Sequence, residues 1–141
     1  MDNLQITLES DWNWDAERAV RQGLADYNRQ IAGVDGRQPL NLIVRDDAGT
    51  VIGGLIGDTY WNWLAINIFW LRDDLRGQGL GSKLLKQAEE EAVRRGCANA
   101  HLDTMDFQAL GFYQKYGYTV FGVLDGLPAG HVRYYLRKPL P

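Results

Sequence analysis

The stretch from Leu71 to Ser82 decides the fold, and it reads Leu-Arg-Asp-Asp-Leu-Arg-Gly-Gln-Gly-Leu-Gly-Ser. Three glycines at alternate positions, Gly77, Gly79 and Gly81, follow an apolar run and open an amphipathic helical pattern. Glycine permits backbone conformations in which successive N–H groups point at one ligand, and it lets that ligand approach closely. The first turn of a helix adds unpaired N–H groups and a partial positive charge. The stretch therefore predicts a binding site for a phosphate or pyrophosphate, with Arg76 as an adjacent cation.

The spacing distinguishes this loop from two other phosphate-binding motifs. A Walker loop requires Gly-x-x-x-x-Gly-Lys-Ser/Thr, and the sequence lacks that spacing. A dinucleotide fingerprint requires Gly-x-Gly-x-x-Gly directly after a strand. Neither Gly77 nor Gly79 has the third glycine of that fingerprint, and residues 72–76 separate the glycines from the preceding apolar run. The spacing that fits the sequence is Arg-x-x-Gly-x-Gly, formed by Arg76, Gly79 and Gly81. The three glycines by themselves are also compatible with a loop that binds no ligand.

Composition bounds the class of protein. The 141 residues suggest one domain, residues 1–141, with 45% hydrophobic and 11% aromatic residues, as is ordinary for a folded protein. The net charge of −3, with acids and bases mixed, argues against a nucleic-acid partner. No apolar run approaches the length of a membrane span, and no signal peptide is recognised. The single Cys97 is expected to be buried and suits a reducing cytosol, so a cytoplasmic protein is expected.

Hydrophobic periodicity predicts one alternating series of strands and helices. The predicted strands are Leu4–Leu8, Leu40–Arg45, Val51–Asp58, Leu64–Leu71, Ala98–Thr104, Tyr118–Val123 and His131–Arg137. The predicted helices run from Asp11 or Asn13 to near Gly33, from the glycine loop to Gly96, and from about Phe107 to Tyr116, ahead of Gly117.

The strand at 64–71 is apolar at nearly every position, so we place it centrally and expect it to be buried on both faces. A helix joins it to the strand at 98–104, which predicts a right-handed parallel crossover. The other strands are expected to be antiparallel. The predicted fold class is therefore α/β, a mixed sheet with helices on both faces.

The element order and two motifs resemble the GNAT acyltransferases. The Arg76, Gly79 and Gly81 spacing is similar to the pyrophosphate loop of that superfamily, and residues 109–118 resemble its Ala-x-x-Phe-Tyr-x-Lys-x-Gly-Phe/Tyr segment. The resemblance covers nearly the whole chain. It implies a mostly antiparallel sheet with one central parallel strand pair, and acetyl-CoA as the acyl-donor substrate.

The resemblance also implies where the donor binds. Its pantetheine arm is expected between the strands at 64–71 and 98–104, with N–H groups near Phe69 and Leu71 bonded to its amides. The Leu71 N–H is expected to stabilise the oxyanion formed when an amine attacks. The donor pyrophosphate is expected on Arg76, Gly77, Gln78, Gly79, Leu80, Gly81 and Ser82.

Tyr113 is the expected general acid, because it occupies the tyrosine position of the Phe-Tyr pair in the second motif. A phenol within hydrogen-bonding reach of the leaving sulfur can protonate the thiolate, a step worth roughly 10²–10⁴-fold. The alternative is that Tyr113 only packs on the sheet, like Tyr116 and Tyr118.

Two positions depart from the family pattern. Many members carry a Glu on the central strand, where this chain has Ala65 and Asn67. Asn67 is expected to face the active-site cavity or a water, or else to bond neighbouring backbone. With no carboxylate there, the amine is expected to lose its proton through water or to arrive neutral. Many members also have an Asn where this chain has Asp106, which is expected to cap the helix starting at Phe107.

The acceptor is expected to be an amine on a small molecule or a protein. Asp58 and Asp103 are candidate carboxylates for a cationic amine, or else solvated surface residues. The tryptophan-rich segments around Trp12 and Trp61 fit either an acceptor contact or a homodimer contact. Two histidines lack metal-ligand spacing, so no metal site is expected.

These patterns together predict an N-acetyltransferase that transfers the acetyl group directly to a primary amine, since no Cys lies near the tyrosine segment. Two other classes stay open. A non-catalytic acyl-CoA-binding or regulatory module is one, although Tyr113 argues against it. The other is a nicotinamide dinucleotide-binding enzyme. In that case Asp103, at the end of a predicted strand that follows Gly79 in the chain, would be the acid that binds the ribose.

Overall fold

The computed structural model describes residues 3–141. Its contacts define two compact units, one up to Asp35 and the other from Gly36 to Pro141. Helix α1 (Trp14–Ala32) belongs to the first unit. Asn13 caps this helix, because its side-chain oxygen accepts a hydrogen bond from the Ala16 N–H at 3.1 Å and so satisfies one first-turn donor. The predicted extent of α1 is confirmed.

Residues 4–8 do not form the predicted edge strand. Leu4, Ile6 and Leu8 alternate with polar residues, but their exposed fractions are 70%, 101% and 94%. Alternation produces a strand only where another strand supplies partners for the N–H and C=O groups, and these residues join none of the described strands. The element series therefore begins with a helix.

The second unit is built on a six-stranded sheet. Its strands are β1 (Gln38–Arg45), β2 (Val51–Tyr60), β3 (Trp63–Leu71), β4 (Asn99–Met105), β5 (Thr119–Asp125) and β6 (Val132–Pro139). Its helices are α2 (Leu80–Arg94) and α3 (Leu110–Lys115), which end before Gly96 and Gly117 as predicted. The strand order is β1-β2-β3-β4-β6-β5. Strands β3 and β4 pair in parallel and the other described neighbours are antiparallel, which confirms the predicted mixed sheet.

One core fills the space between the sheet and helices α2 and α3. Its largest fully buried side chains are Leu55, Leu64, Leu85, Tyr118 and Leu136. Burying an aliphatic side chain of this size stabilises the fold by about 1.5–3 kcal/mol. Cys97 lies in the same core, as predicted, and burial raises the pKa of its thiol.

Strand β3 is buried on both faces only in its first half. Leu64, Ala65 and Ile66 are at most 4% exposed, whereas Ile68 and Trp70 are 59% and 50% exposed. The pairing of β3 with β4 ends at Ile66 and Leu102, so the second half of β3 has no strand on that side. The prediction that this strand is buried on both faces along its length is therefore wrong.

A β-bulge in β3 coincides with the end of this pairing. Ile66 lies opposite Gly57 of β2 and Ile68 lies opposite Ile56, which leaves Asn67 as an extra residue. An extra residue shifts the alternation of side chains by one position. Phe69 therefore lies on the core face, where its ring contacts those of α3.

Helix α3 begins at Leu110 rather than Phe107, and Asp106 is not its N-cap. The Asp106 carboxylate instead shares a 2.9 Å hydrogen bond with the His131 ring and accepts another from the Val132 N–H at 3.1 Å. Partners at the start of β6 thus bind the carboxylate that was predicted to cap the helix.

Glu89 fixes α2 to the sheet, which gives a test of the fold. Its carboxylate accepts a hydrogen bond from the Tyr118 hydroxyl at 2.8 Å and one from Lys138 Nζ at 2.6 Å. Glu89→Ala leaves a buried hydroxyl and a partly buried ammonium unpaired, so we expect the free energy of unfolding in urea to fall by about 3 kcal/mol. The matched control is Glu90→Ala on the exposed face of α2, which should cost less than about 0.5 kcal/mol. Equal losses in the two variants would contradict this account.

No helix in the described part of the chain is both long enough and apolar enough to cross a membrane.

Candidate active site

Strands β3 and β4 part beyond Ile66 and Leu102, and a groove opens between them. A cavity of about 330 Å³ lies on the side of the glycine loop. A second cavity of about 480 Å³ lies along the edges of β3 and β4. Five residues line both cavities: Phe69, Leu71, Arg76, Ala109 and Tyr113. The two cavities are therefore two ends of one groove.

Most of the predicted site residues meet in this groove. The first cavity contains Phe69, Leu71, Arg76, Gly77, Gly79, Gly81, Ser82 and Tyr113. The second adds Asn67, on the bulge. Two predicted residues line neither cavity. Gln78 donates its side-chain amide to the Asp74 carbonyl at 2.8 Å, and Leu80 is the first residue of α2.

The glycine loop has a backbone that requires glycine. Gly77 and Gly79 have φ values of 73° and 81°, in the left-handed region that residues with a Cβ rarely adopt. Gly79 immediately precedes α2, and its carbonyl accepts the Lys83 N–H at 3.1 Å. The first N–H groups of this 15-residue helix have no partner within the helix and face the loop. The geometry fits an anion at this end of the groove.

Arg76 ties the loop to the end of β3. Its Nε donates to the Leu71 carbonyl at 3.0 Å, and its guanidinium lies 3.1 Å from the Asp73 carboxylate. The side chain nevertheless stays 58% exposed and lines both cavities. Arg76 was expected only as a cation for the anion site. Its hydrogen bond to Leu71 shows that it also fixes the loop to the strand.

The register of β2 and β3 directs backbone donors into the groove. The Arg72 N–H donates to the Ile52 carbonyl at 3.0 Å, and Leu71 lies opposite Gly53. Leu71 and Gly53 therefore form a non-hydrogen-bonded pair of the antiparallel ladder. The Leu71 N–H points away from β2, toward the groove, and so does the Phe69 N–H two residues earlier.

Tyr113 both packs in the core and lines the groove. It is 5% exposed, and its ring lies 5.3 Å from that of Phe112 and 5.8 Å from that of Tyr118. Burial, and to a lesser extent the negative charge of Asp103, raises the pKa of the Tyr113 phenol to about 12. The hydroxyl therefore stays protonated near neutral pH. The two interpretations of this residue are compatible, because the packing holds the phenol at the groove.

Several lining residues were missed by sequence reasoning. They include Leu75, Ala109 and Phe112 in the first cavity and Thr104, Phe107 and Gln108 in the second. Phe112 stands in the quoted Phe-Tyr pair, which is the signal that could have identified it. Ser82 shares a short hydroxyl–hydroxyl hydrogen bond with Tyr116, so Tyr116 supports the loop end of the groove.

Asp58 lies outside the lining of both cavities. It forms an ion pair with Arg37, whose guanidinium also stacks over the Tyr60 ring at 4.0 Å. His101 completes this cluster, 3.3 Å from the Tyr60 hydroxyl, and burial lowers the pKa of its imidazole. Of the two candidate carboxylates, Asp103 reaches the groove.

Within residues 3–141, no three His, Cys, Asp or Glu side chains are grouped so as to hold a metal ion.

Comparison with known proteins identifies the family. The family model for the acetyltransferase (GNAT) family matches residues 6–118. An acetyltransferase of Agrobacterium fabrum is 41% identical over 124 residues, covering 88% of this chain and 90% of the relative. Blasticidin-S acetyltransferase of Streptomyces morookaense is 39% identical over 95 residues, covering 67% of this chain and 70% of the relative.

A solved structure gives the same result. The crystal structure of a protein from Agrobacterium tumefaciens superposes with a TM-score of 0.93 and 38% identity, covering 97% of this chain and 100% of the other. The chain belongs to the GNAT acetyltransferase family. It is an acetyltransferase enzyme, and the resemblance predicted from its two motifs is confirmed.

Proposed function

We propose that this enzyme transfers an acetyl group from acetyl-CoA directly to a primary amine. One observation carries the proposal: the glycine loop, the inward-pointing N–H groups of β3 and the Tyr113 phenol all line one groove. An acyl-CoA thioester needs an anion site for its pyrophosphate, amide partners for its pantetheine arm and a proton donor at its sulfur. The groove supplies these three features in that order.

The donor binds along the parted strands. The N–H groups of the loop and of the first turn of α2 hold the pyrophosphate. The Phe69 and Leu71 N–H groups pair with the amides of the arm, as they would with an added strand. This arrangement brings the thioester to the fork between β3 and β4, close to Tyr113.

The chemistry follows from these positions. The amine nitrogen attacks the thioester carbon, so that a C–N bond forms and negative charge develops on the carbonyl oxygen. The Leu71 N–H stabilises that oxyanion. The C–S bond then breaks, and the departing thiolate takes the phenolic proton of Tyr113, which is replaced from solvent. The proton released by the amine passes to water.

Thiol release with a panel of amines tests this function. The panel includes blasticidin S and thialysine, after which two of the relatives are named. We expect equal amounts of free CoA thiol and acetylated amine. Tight acetyl-CoA binding without turnover of any amine would instead indicate a non-catalytic acyl-CoA-binding module. Binding of NAD in preference to acetyl-CoA would indicate a nicotinamide enzyme.

The pH dependence gives a second test of the proton path. No carboxylate stands at Ala65 or Asn67, so the rate at subsaturating amine should rise with pH toward the pKa of the amine itself. The pKa of the Tyr113 phenol is about 12. The phenol loses its proton only as the pH rises through that value, so it remains a proton donor up to the pKa of a typical amine. The measurement is kcat/KM against pH for several amines of different pKa. An acidic limb at the same pH for all of them would contradict this path and indicate a protein base.

A further inference from the structure

We propose that Asp103 and Asn67 form the acceptor subsite, which selects amines that arrive as cations. The inference rests on the proposed function and adds the chemical class of the acceptor. Its starting point is the fork at which β3 and β4 separate. The last paired residues are Ile66 and Leu102, and the next residue along each strand is Asn67 or Asp103.

The two side chains face the same space from opposite strands. Both line the second cavity, together with Tyr113 and Leu71. Because of the bulge, Asn67 has no partner on β2. Asp103 has no partner on β3, because the parallel ladder ends one residue earlier. An acceptor held between them therefore lies beside the groups that the proposed function gives to the donor.

The Asp103 carboxylate suits a cationic acceptor. Among the described residues that line the two cavities, Asp103 supplies the only carboxylate. Its side chain is 39% exposed and forms an ion pair with Arg133, whose guanidinium lies 3.6 Å away, beyond hydrogen-bonding distance. The carboxylate oxygens can therefore accept from a primary ammonium, which has three donors. The Asn67 side-chain oxygen can accept a further one.

Asp103 also lies close enough to act on the reacting end of the groove. Its charge is one of the two causes that raise the pKa of the Tyr113 phenol. In the proposed sequence the ammonium binds to Asp103 and gives one proton to water at the open mouth of the groove. The neutral nitrogen then attacks the thioester. Asp103 is thus a binding residue that determines specificity.

The test compares Asp103→Asn with the control Asp125→Asn, which makes the same charge change at an exposed position on β5 outside the groove. Two acceptors are used: the best alkylammonium from the panel, and hydroxylamine, which is uncharged at neutral pH. We expect Asp103→Asn to raise KM for the ammonium roughly 10- to 100-fold with kcat within a few-fold. KM for hydroxylamine should stay within about twofold, because no ion pair is lost. The control should change neither value.

Two further readouts separate a charge effect from a structural one. Added salt should raise KM for the ammonium in the wild-type enzyme more than in Asp103→Asn, because ions screen the attraction. Arg133→Gln should lower that KM, because it removes a neighbouring positive charge. A merely damaged fold would not move KM in opposite directions.

The outcomes are distinct. An unchanged KM for the ammonium in Asp103→Asn overturns the subsite, and so does an equal rise for both acceptors. If the wild-type enzyme acetylates only uncharged acceptors, the subsite is wrong while the acetyl-transfer function stands. If it acetylates none, both proposals fail.

Discussion

Replacing Tyr113 with phenylalanine should lower kcat by roughly one to three orders of magnitude, in the range of a lost general acid. The ring contacts with Phe112 and Tyr118 remain in the variant, so the fold and the affinity for acetyl-CoA should change little. Only the hydroxyl that we propose as the proton donor to the thiolate is removed. Steady-state kinetics and calorimetric titration of acetyl-CoA give the two quantities.

The matched control for this variant is Tyr134→Phe. Tyr134 packs against the same core but lines neither cavity. Tyr116 is less suitable, because its hydroxyl bonds Ser82 at the loop. The loss in Tyr113→Phe should also shrink for an acyl donor whose thiol is more acidic, since that leaving group needs less protonation. Turnover of Tyr113→Phe at the wild-type rate would mean that another group supplies the proton.

The glycine loop carries the second large effect. Gly79→Val and Gly81→Val should each weaken acetyl-CoA binding by roughly tenfold or more, because a side chain would intrude where we propose that backbone N–H groups bind the pyrophosphate. At Gly79 the φ of 81° adds backbone strain. At Gly81 the backbone is not in the left-handed region, and an added Cβ would lie 3.6 Å from the Phe112 ring, an ordinary van der Waals contact. Calorimetric titration with acetyl-CoA measures the change.

A second glycine separates strain from lost binding. Gly130 has a φ of 79° and open space around its Cα, and it lies in the turn before β6, outside the groove. Gly130→Val should therefore reproduce the strain of Gly79→Val without its effect on acetyl-CoA affinity. Unchanged affinity in a folded Gly79→Val, Gly81→Val double variant would refute the loop as the pyrophosphate site.

Sequence reasoning succeeded where local chemistry decides the conformation. The glycine loop was predicted from alternate glycines ahead of a helical pattern. Gly77 and Gly79 do occupy backbone conformations that few other residues adopt. The parallel crossover was predicted because an amphipathic helix separates two apolar runs. In both cases the information lies within a few residues of the feature that it determines.

It failed where a distant partner decides the conformation. Leu4–Leu8 has the alternation of a strand but pairs with no described strand. Asp106 has the chemistry of a helix cap, yet its carboxylate bonds Val132 on β6 and His131 directly before that strand. A local pattern indicates which hydrogen bonds or pairings a residue can form. Which of those partners lies nearby is determined by the fold.

The candidate site divides in the same way. The loop residues and Tyr113 came from motifs, and the structure places all of them except Gln78 and Leu80 in one groove. The relation between Asn67 and Asp103 could not be predicted, because it depends on where the β3 and β4 ladder ends. Periodicity locates strands but does not give the residue at which two of them part.

The bulge at Asn67 makes the length of β3 more constrained than its composition. Inserting one residue between Asn67 and Ile68, with the bulge kept, would exchange the two faces of the strand beyond that point. Phe69 and Leu71 would turn outward, Ile68 and Trp70 would turn toward α3, and the N–H groups aimed at the groove would move to different residues. Deleting Asn67 would instead restore regular alternation, which keeps Phe69 and Leu71 on the core face but removes the bulge and its side chain from the fork. In natural variants of this enzyme, single-residue insertions between the bulge and the glycine loop should therefore be absent even where the residues themselves differ.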